Sequence, residues 1–291
     1  MPELIRRRWR SFAVLMLVLA ALPYGCSRLA YKERELLYSI QPGIASWYSG
    51  LPAGVQQMNI PLEGSQFLHA WWWPAARKDA PTLLYLHGTR WNLTAQVRRI
   101  TELRNLGFSV LAIDYRGFGD SPGDLPSENS VYQDAQVAWQ RLVQLQPVAQ
   151  KRFIYGHSLG GAIAVDLAQR IARQDEPAAA GLIIESTFTD LGAAAAAVIH
   201  TSLPVRWIMS EKYDSIDKIG AIGMPVLIVH GTDDRYVPPR FSQALYDAAS
   251  SPKQLLLVPG GTHLNSMTLG SADYARALHQ LFGLKATQGA G

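Results

Sequence analysis

Cysteine is nearly absent. The single thiol, Cys26, excludes an intrachain disulfide framework and any metal site built from several thiolates. Charge is sparse, at 17% of 291 residues, and the net balance is only +4. Three of those four charges lie in the first 25 residues, where Arg6, Arg7, Arg8 and Arg10 are offset by Glu3 alone. The rest of the chain lacks the basic surplus that a nucleic-acid-binding face needs, so no nucleic-acid partner is expected. Internal repeats are missing too; the run Ala193 to Ala197 is a local bias within one helix. Apolar and aromatic side chains are plentiful, at 48% and 10%. That excludes a disordered chain and suffices for a large core in one domain of this length.

The N-terminus reads as an address. Four arginines precede eleven apolar residues, Phe12 to Leu22, short of the roughly 20 that a spanning helix needs. A basic flank before a short apolar core is the layout of a secretory signal. Pro23-Tyr24-Gly25 ends the run and Cys26 follows. A small residue before a lone cysteine in this position resembles a bacterial lipoprotein processing site, where cleavage leaves a lipid-modified cysteine. Pro23 and Tyr24 depart from the small or aliphatic residues usual there. The other reading is an uncleaved anchor with Cys26 incidental. Both place the chain in a bacterial cell envelope, tethered to a membrane by this segment or by a lipid on Cys26. The expected organisation is a signal or anchor at 1–25, a linker and lead-in at 26–61, a folded domain at 62–284 and a tail at 285–291.

The body alternates strand and helix. Phe67 to Trp73, Thr82 to Leu86, Ser109 to Ile113, Arg152 to Tyr155, Leu182 to Ile184, Val226 to Val229 and Leu255 to Val258 read as strands. Several are continuous apolar runs, the mark of strands buried on both faces. Helical spacing covers Arg90 to Leu106, a segment opening at Ser127, and segments near 159–171, 240–249 and 272–281. This alternation predicts an α/β fold, a mostly parallel sheet with helices on both faces. In Trp71-Trp72-Trp73 the period of two turns Trp72 away from its neighbours.

Chemistry in such sheets gathers at the carboxyl ends of the strands. The strand at Arg152 to Tyr155 runs into Gly156-His157-Ser158-Leu159-Gly160-Gly161 and then a helix. This is G-x-S-x-G between strand and helix, where glycines let the backbone turn sharply and project the serine. The strand at Val226 to Val229 is followed by Asp233 and Asp234, and that at Leu255 to Val258 by His263. A serine hydroxyl becomes a nucleophile when a base takes its proton, and the base needs a carboxylate to orient it. Ser158, Asp234 and His263 are the candidates, with Asp233 the rival acid and Asp190 a more distant one. His157, beside the serine, reads as packing. Without catalysis, the same string would be a glycine-rich turn capped by a serine.

From about Leu62 to Leu284 the chain resembles an α/β-hydrolase serine hydrolase of the small-cap, membrane-tethered, esterase- or lipase-like group. The resemblance rests on His87-Gly88, Asp114-Tyr115-Arg116-Gly117-Phe118-Gly119-Asp120-Ser121, Gly156 to Gly161, Asp234 with Val237-Pro238, and His263, in that order. It implies a cofactor-free, metal-free serine hydrolase with an acyl-enzyme on Ser158. It favours Asp234 over Asp233 by its spacing to Val237-Pro238. It also implies an oxyanion hole from the N–H groups of Thr89 and Leu159. Asp114 and Arg116 would hold their loop, His87 would be structural, and Arg90 would be an exposed arginine at a helix start. Members act on esters, lipids, thioesters or peptides, so the expected partner is a small-molecule or lipid acyl substrate. A non-catalytic, membrane-tethered binding protein on the same fold is the alternative of another class.

Thr187 to Gly223 form the expected helical cap. Its apolar residues Val198, Ile199, Leu203, Trp207, Ile208 and Met209 either roof the site for an acyl chain or pack the cap onto the core.

Overall fold

The computed structural model describes residues 24–173, 179–203 and 205–284. Most of the expected signal or anchor segment and the tail from 285 lie outside these residues. Among them, eight strands form one sheet in the order β1-β2-β4-β3-β5-β6-β7-β8. The strands are β1 (Gln56–Pro61), β2 (Phe67–Trp73), β3 (Thr82–Leu86), β4 (Ser109–Ile113), β5 (Arg152–His157), β6 (Gly181–Glu185), β7 (Val226–Gly231) and β8 (Lys253–Val258). β1 and β2 run antiparallel to their neighbours, and β4 through β8 are parallel.

Strand periodicity builds two cores. Leu84, Leu111, Ile154, Leu182 and Ile228 face one side, while Leu83, Val110, Phe153, Ile183 and Leu227 face the other. The first side is covered by α3 (Glu128–Leu145), α4 (Leu159–Arg173), α6 (Arg240–Ala248) and the end of α1 (residues 24–38). The second is covered by α2 (Val97–Asn105), α7 (Ser266–Leu269) and α8 (Ser271–Phe282). Trp71 and Trp73 join the second core and Trp72 packs on the first, as alternation requires.

Local chemistry sets the helix starts. Ser127 caps α3 by accepting from Ser130 N–H, and Ser130 returns a bond to Ser127 N–H. The helix expected from Arg90 begins instead at Val97, after a short 3₁₀ turn at Leu93–Ala95. Trp91 sits at φ 62°, and Asp114 Oδ1 takes the Leu93 N–H at 2.9 Å, so this stretch cannot continue as α-helix. β1 has no counterpart in the sequence reading, which began the domain at Leu62. It is a mostly exposed edge strand, QQMNIP, whose inward face is only Met58 and the buried Ile60, too short a signal to read as a strand. Residues 26–61 therefore hold a helix and an edge strand, not only a linker.

The Asp114 to Ser121 loop is fastened at both ends. Asp114 is buried beside His69 (3.4 Å) and His87 (3.5 Å). Arg116 donates to the buried Asp134 through its backbone N–H at 2.8 Å and Nε at 2.6 Å. Truncating Arg116 would strand the Asp134 charge in the core, so Arg116→Met should lower unfolding free energy by roughly 3 kcal/mol in urea titration. A loss within about 0.5 kcal/mol, the scale of ordinary surface changes, would show that Asp134 is rehydrated.

Candidate active site

β5 ends at His157, and α4 begins at Leu159, so Ser158 alone makes the turn. Its φ of 57° is left-handed backbone, costly for a residue with a side chain. Two glycines make the turn feasible. A Cβ on Gly156 would lie 2.1 Å from Gly160 O, and one on Gly160 would lie 2.1 Å from Leu86 O. The turn is pinned to β6 by Ser158 N–H donating to Glu185 O (2.9 Å) and by Thr187 Oγ1 donating to Ser158 O (2.8 Å). Gly88 crosses directly beside it, and a Cβ there would be 3.1 Å from Ser158 Cβ. Thr89 follows Gly88 on this loop, and Leu159 is the first residue of α4, one of the helix-start N–H groups without an intrahelical partner. His87 donates Nδ1–H to Gly88 O at 2.7 Å and is packed between Tyr115 and Phe118, a structural placement.

The loops after β7 and β8 converge on this turn. Asp234 Oδ2 is 2.8 Å from His263 Nδ1. Asp234 Oδ1 accepts the N–H groups of Tyr236 and Val237, both at 2.9 Å, closing a tight turn over its own side chain. Asp233 is exposed and, among the described residues, its carboxylate accepts only from Thr232 Oγ1, at 3.2 Å, and Asp190 caps α5 (Leu191–Val198) by accepting from Ala193 N–H. With Nδ1 donating to the carboxylate, His263 is left with Nε2 as its accepting nitrogen. Burial alone would raise the Asp234 pKa, but hydrogen bonds from His230 and His263 overcome it and hold the carboxyl well below its usual range.

Three residues absent from the sequence reading of the site brace this pair. His230 is fully buried, donates through Nε2 to Val237 O (2.8 Å) and lies 3.3 Å from Asp234 Oδ2. Arg99 and Glu185 form a buried ion pair at 2.6 Å beneath the His263 loop. Tyr155 and Tyr274 hydroxyls donate to the same Glu185 carboxylate, and Arg99 reaches the carbonyls of His263 and Leu264 at 3.5 and 3.4 Å. The signal available was a charge inside an apolar pattern: Glu185 ends the buried run Gly181–Glu185, and Arg99 lies on the core face of α2. His157, read as packing, also donates Nε2–H to His263 O at 2.8 Å, with the two rings 4.7 Å apart. Burial first, then the Arg99 charge, pushes the His157 pKa well down, so it is a neutral prop.

At the rim, Tyr236 packs 5.6 Å from the His263 ring and Arg90 lies 5.4 Å over Tyr236. Cys26 is exposed within α1. Among the described residues, no group of three His, Cys, Asp or Glu side chains is placed to hold a metal ion, and no helix is long and apolar enough to cross a membrane. Strand-end loops thus supply a hydroxyl, an imidazole and a buried carboxylate.

Residues 78–216 and 209–266 match the family Hydrolase_4, described as serine aminopeptidase, S33. Protein Rv2307c of Mycobacterium tuberculosis is 34% identical over 260 residues, spanning 88% of this chain and 89% of that one. Lysophosphatidylserine lipase ABHD12 of Danio rerio is 33% identical over 200 residues, 64% of this chain and 51% of that protein. Among solved structures, an alpha-beta hydrolase from Vibrio vulnificus superposes with TM-score 0.68 at 20% identity, covering 86% and 92% of the two chains. The Pyrococcus furiosus esterase Pf2001 gives 0.66 at 17%, covering 85% and 98%. These two likenesses show the fold.

A depressed native carboxyl pKa contributes stability above the unfolded value, near 3.9, and loses it as pH falls through that value toward the native one. Asp234→Asn removes that contribution. The stability gap between wild type and variant should therefore be full at pH 6 and narrow below about pH 4, by up to about 1.4 kcal/mol per pH unit, in urea titrations. A gap that stays constant to pH 3 would mean that Asp234 titrates in its ordinary range.

Proposed function

The chain belongs to the Hydrolase_4 (serine aminopeptidase, S33) family of α/β-hydrolases, and on that premise we propose that it is a serine hydrolase cleaving a carboxylic ester or related acyl substrate through an acyl-enzyme on Ser158. The observation that carries this reading is the 2.8 Å contact of Asp234 with His263, on an imidazole seated against His157, the neighbour of Ser158. Asp234 fixes the tautomer that leaves Nε2 as proton acceptor. His263 takes the Ser158 proton as Oγ bonds to the substrate carbonyl carbon. Negative charge moves to the carbonyl oxygen, toward the N–H groups of Thr89 and Leu159. The intermediate collapses, the leaving alkoxide takes the proton from His263, and the acyl group stays on Ser158. Water then loses a proton to His263 and bonds to the acyl carbon. Collapse returns the proton to Ser158 and releases the acid.

An ester is favoured over a peptide because relatives and neighbours include a named lipase and a named esterase. Small-molecule and lipid acyl groups are the substrate class. In the same reading the protein is exported and membrane-tethered, either by a lipid on Cys26 after cleavage of the preceding segment or by that segment as an uncleaved anchor.

Ser158→Ala should cut turnover of a short p-nitrophenyl ester by about a thousandfold or more and abolish labelling by a fluorophosphonate probe. Retained turnover would overturn the nucleophile. Asp234→Asn should lower kcat by about ten-thousandfold, since the wrong imidazole tautomer then faces the serine. Asp233→Asn, at an exposed side chain, should leave kcat within about twofold; the reverse order would reassign the acid.

A further inference from the structure

Contact with the core does not account for most of the apolar residues of the cap. Trp207, Ile208 and Leu203 are 86%, 74% and 71% exposed, and Val198 and Ile199 are each 61% exposed. Only Met209 of that set packs against the core. The alanines of α5 explain the split: Ala193, Ala194 and Ala197 pack inward, and the larger residues that follow them face out. Large apolar groups close together in sequence and open to solvent are what a water-facing surface avoids.

What covers this face is indicated by α1. The Glu33 carboxylate accepts from the N–H groups of Ser210 and Glu211 and from Ser210 Oγ, at 2.7–2.9 Å. The Tyr38 hydroxyl is buried against Glu211 and Tyr213. The helix is thus bolted to the cap beside Trp207 and Ile208. It presents Leu29 and Leu36 outward, seven residues apart and so on one face. In the sequence, α1 is preceded by the apolar run Phe12 to Leu22 and the cluster of Arg6, Arg7, Arg8 and Arg10. Glu33 and Tyr24 are nine residues apart, about 14 Å of helix. The chain therefore enters the folded domain from its apolar, arginine-flanked segment within that distance of the cap.

We propose that the cap face formed by Val198, Ile199, Leu203, Trp207 and Ile208, with Leu29 and Leu36 of α1, rests in the interfacial layer of a phospholipid bilayer. The indole of Trp207 is of the type that settles at the boundary between headgroups and acyl chains. The surface is too short to span and binds by lying in that layer. The cap emerges from the end of β6, where Thr187 holds the Ser158 carbonyl, so a docked cap sets the candidate site next to lipid. The docking itself stands apart from the hydrolase reading; its consequence for substrate access rests on that reading.

The test uses the full chain with an environment-sensitive fluorescent amino acid in place of Ile208. The control label replaces Lys78, in the loop entering β3 at the opposite rim of the sheet. Each is added to phosphatidylcholine–phosphatidylglycerol vesicles with and without brominated acyl chains. Bromine should quench the label at 208 about threefold or more and the label at 78 by less than about a fifth. Equal quenching at both positions, or no vesicle binding, overturns the proposal. So does a label at 208 shielded from water yet untouched by bromine, since a second copy or residues 12–22 would then cover the face. In a second arm, Trp207→Ser with Ile208→Ser should reduce hydrolysis of a vesicle-embedded long-chain ester about tenfold and change that of a soluble short ester less than twofold. Equal loss on both esters would overturn the link to substrate access. A chain inactive on both esters would count against the hydrolase reading and leave the quenching result to decide the docking.

Discussion

A carboxylate taken out of water has to be answered by donors on every side, and the Asp234 side chain is completely buried. Two backbone N–H groups close on one oxygen, and the His230 and His263 imidazoles approach the other. Each partner comes from β7, the loop after it, or the loop after β8. The charge can stay ionised only if all three segments hold their places, so one ion ties the geometry of the candidate site to the parallel pairing of β7 with β8. Removing a partner leaves a charge in the core, which costs more than the lost contact.

A second buried charge lies below the first. Arg99 and Glu185 link α2 to the end of β6, the same strand end whose carbonyl receives Ser158 N–H. Arg99 also touches the carbonyls of His263 and Leu264. The turn bearing the serine and the loop bearing the imidazole therefore share one rigid support. Strain at Ser158 persists because its N–H is held by Glu185 O and its carbonyl by Thr187 Oγ1, while the space beside Gly156 and Gly160 admits no side chain. This is preorganisation in a physical sense: the expensive conformations are held by packing and charge before any substrate arrives.

Rigidity and exposure are divided between two parts of the molecule. The sheet and its flanking helices bury nearly all their large apolar side chains, while α1 and the cap leave a run of them open. A chain that buries every residue of β3 through β7 has no packing reason to leave Trp207 outside. The hydrogen bonds of Glu33 join the two exposed parts into one surface. Conformation there is set by polar contacts among backbone groups, and the apolar side chains are left available for a second phase.

Much of the fold was legible in the chain because its strands are buried on both faces and read as short apolar runs. β2, β3 and β4 begin and end at the residues their composition indicates. β1 was not legible, since an edge strand with only Met58 and Ile60 on its inward face carries too short a periodic signal and is held by pairing with β2. Left-handed Trp91 likewise delayed α2 for a reason that lies in a distant carboxylate, Asp114. By itself the sequence determined which strand ends bear a serine, two adjacent acids and a histidine, because motif spacing and chain order are local facts. Only the tertiary structure decided that Asp234 and not Asp233 meets His263, that Arg99, Glu185 and His230 brace them, and that the cap's apolar side chains face out. Those outcomes depend on contacts between segments far apart in the chain, and burial of charge is a property of the assembled fold.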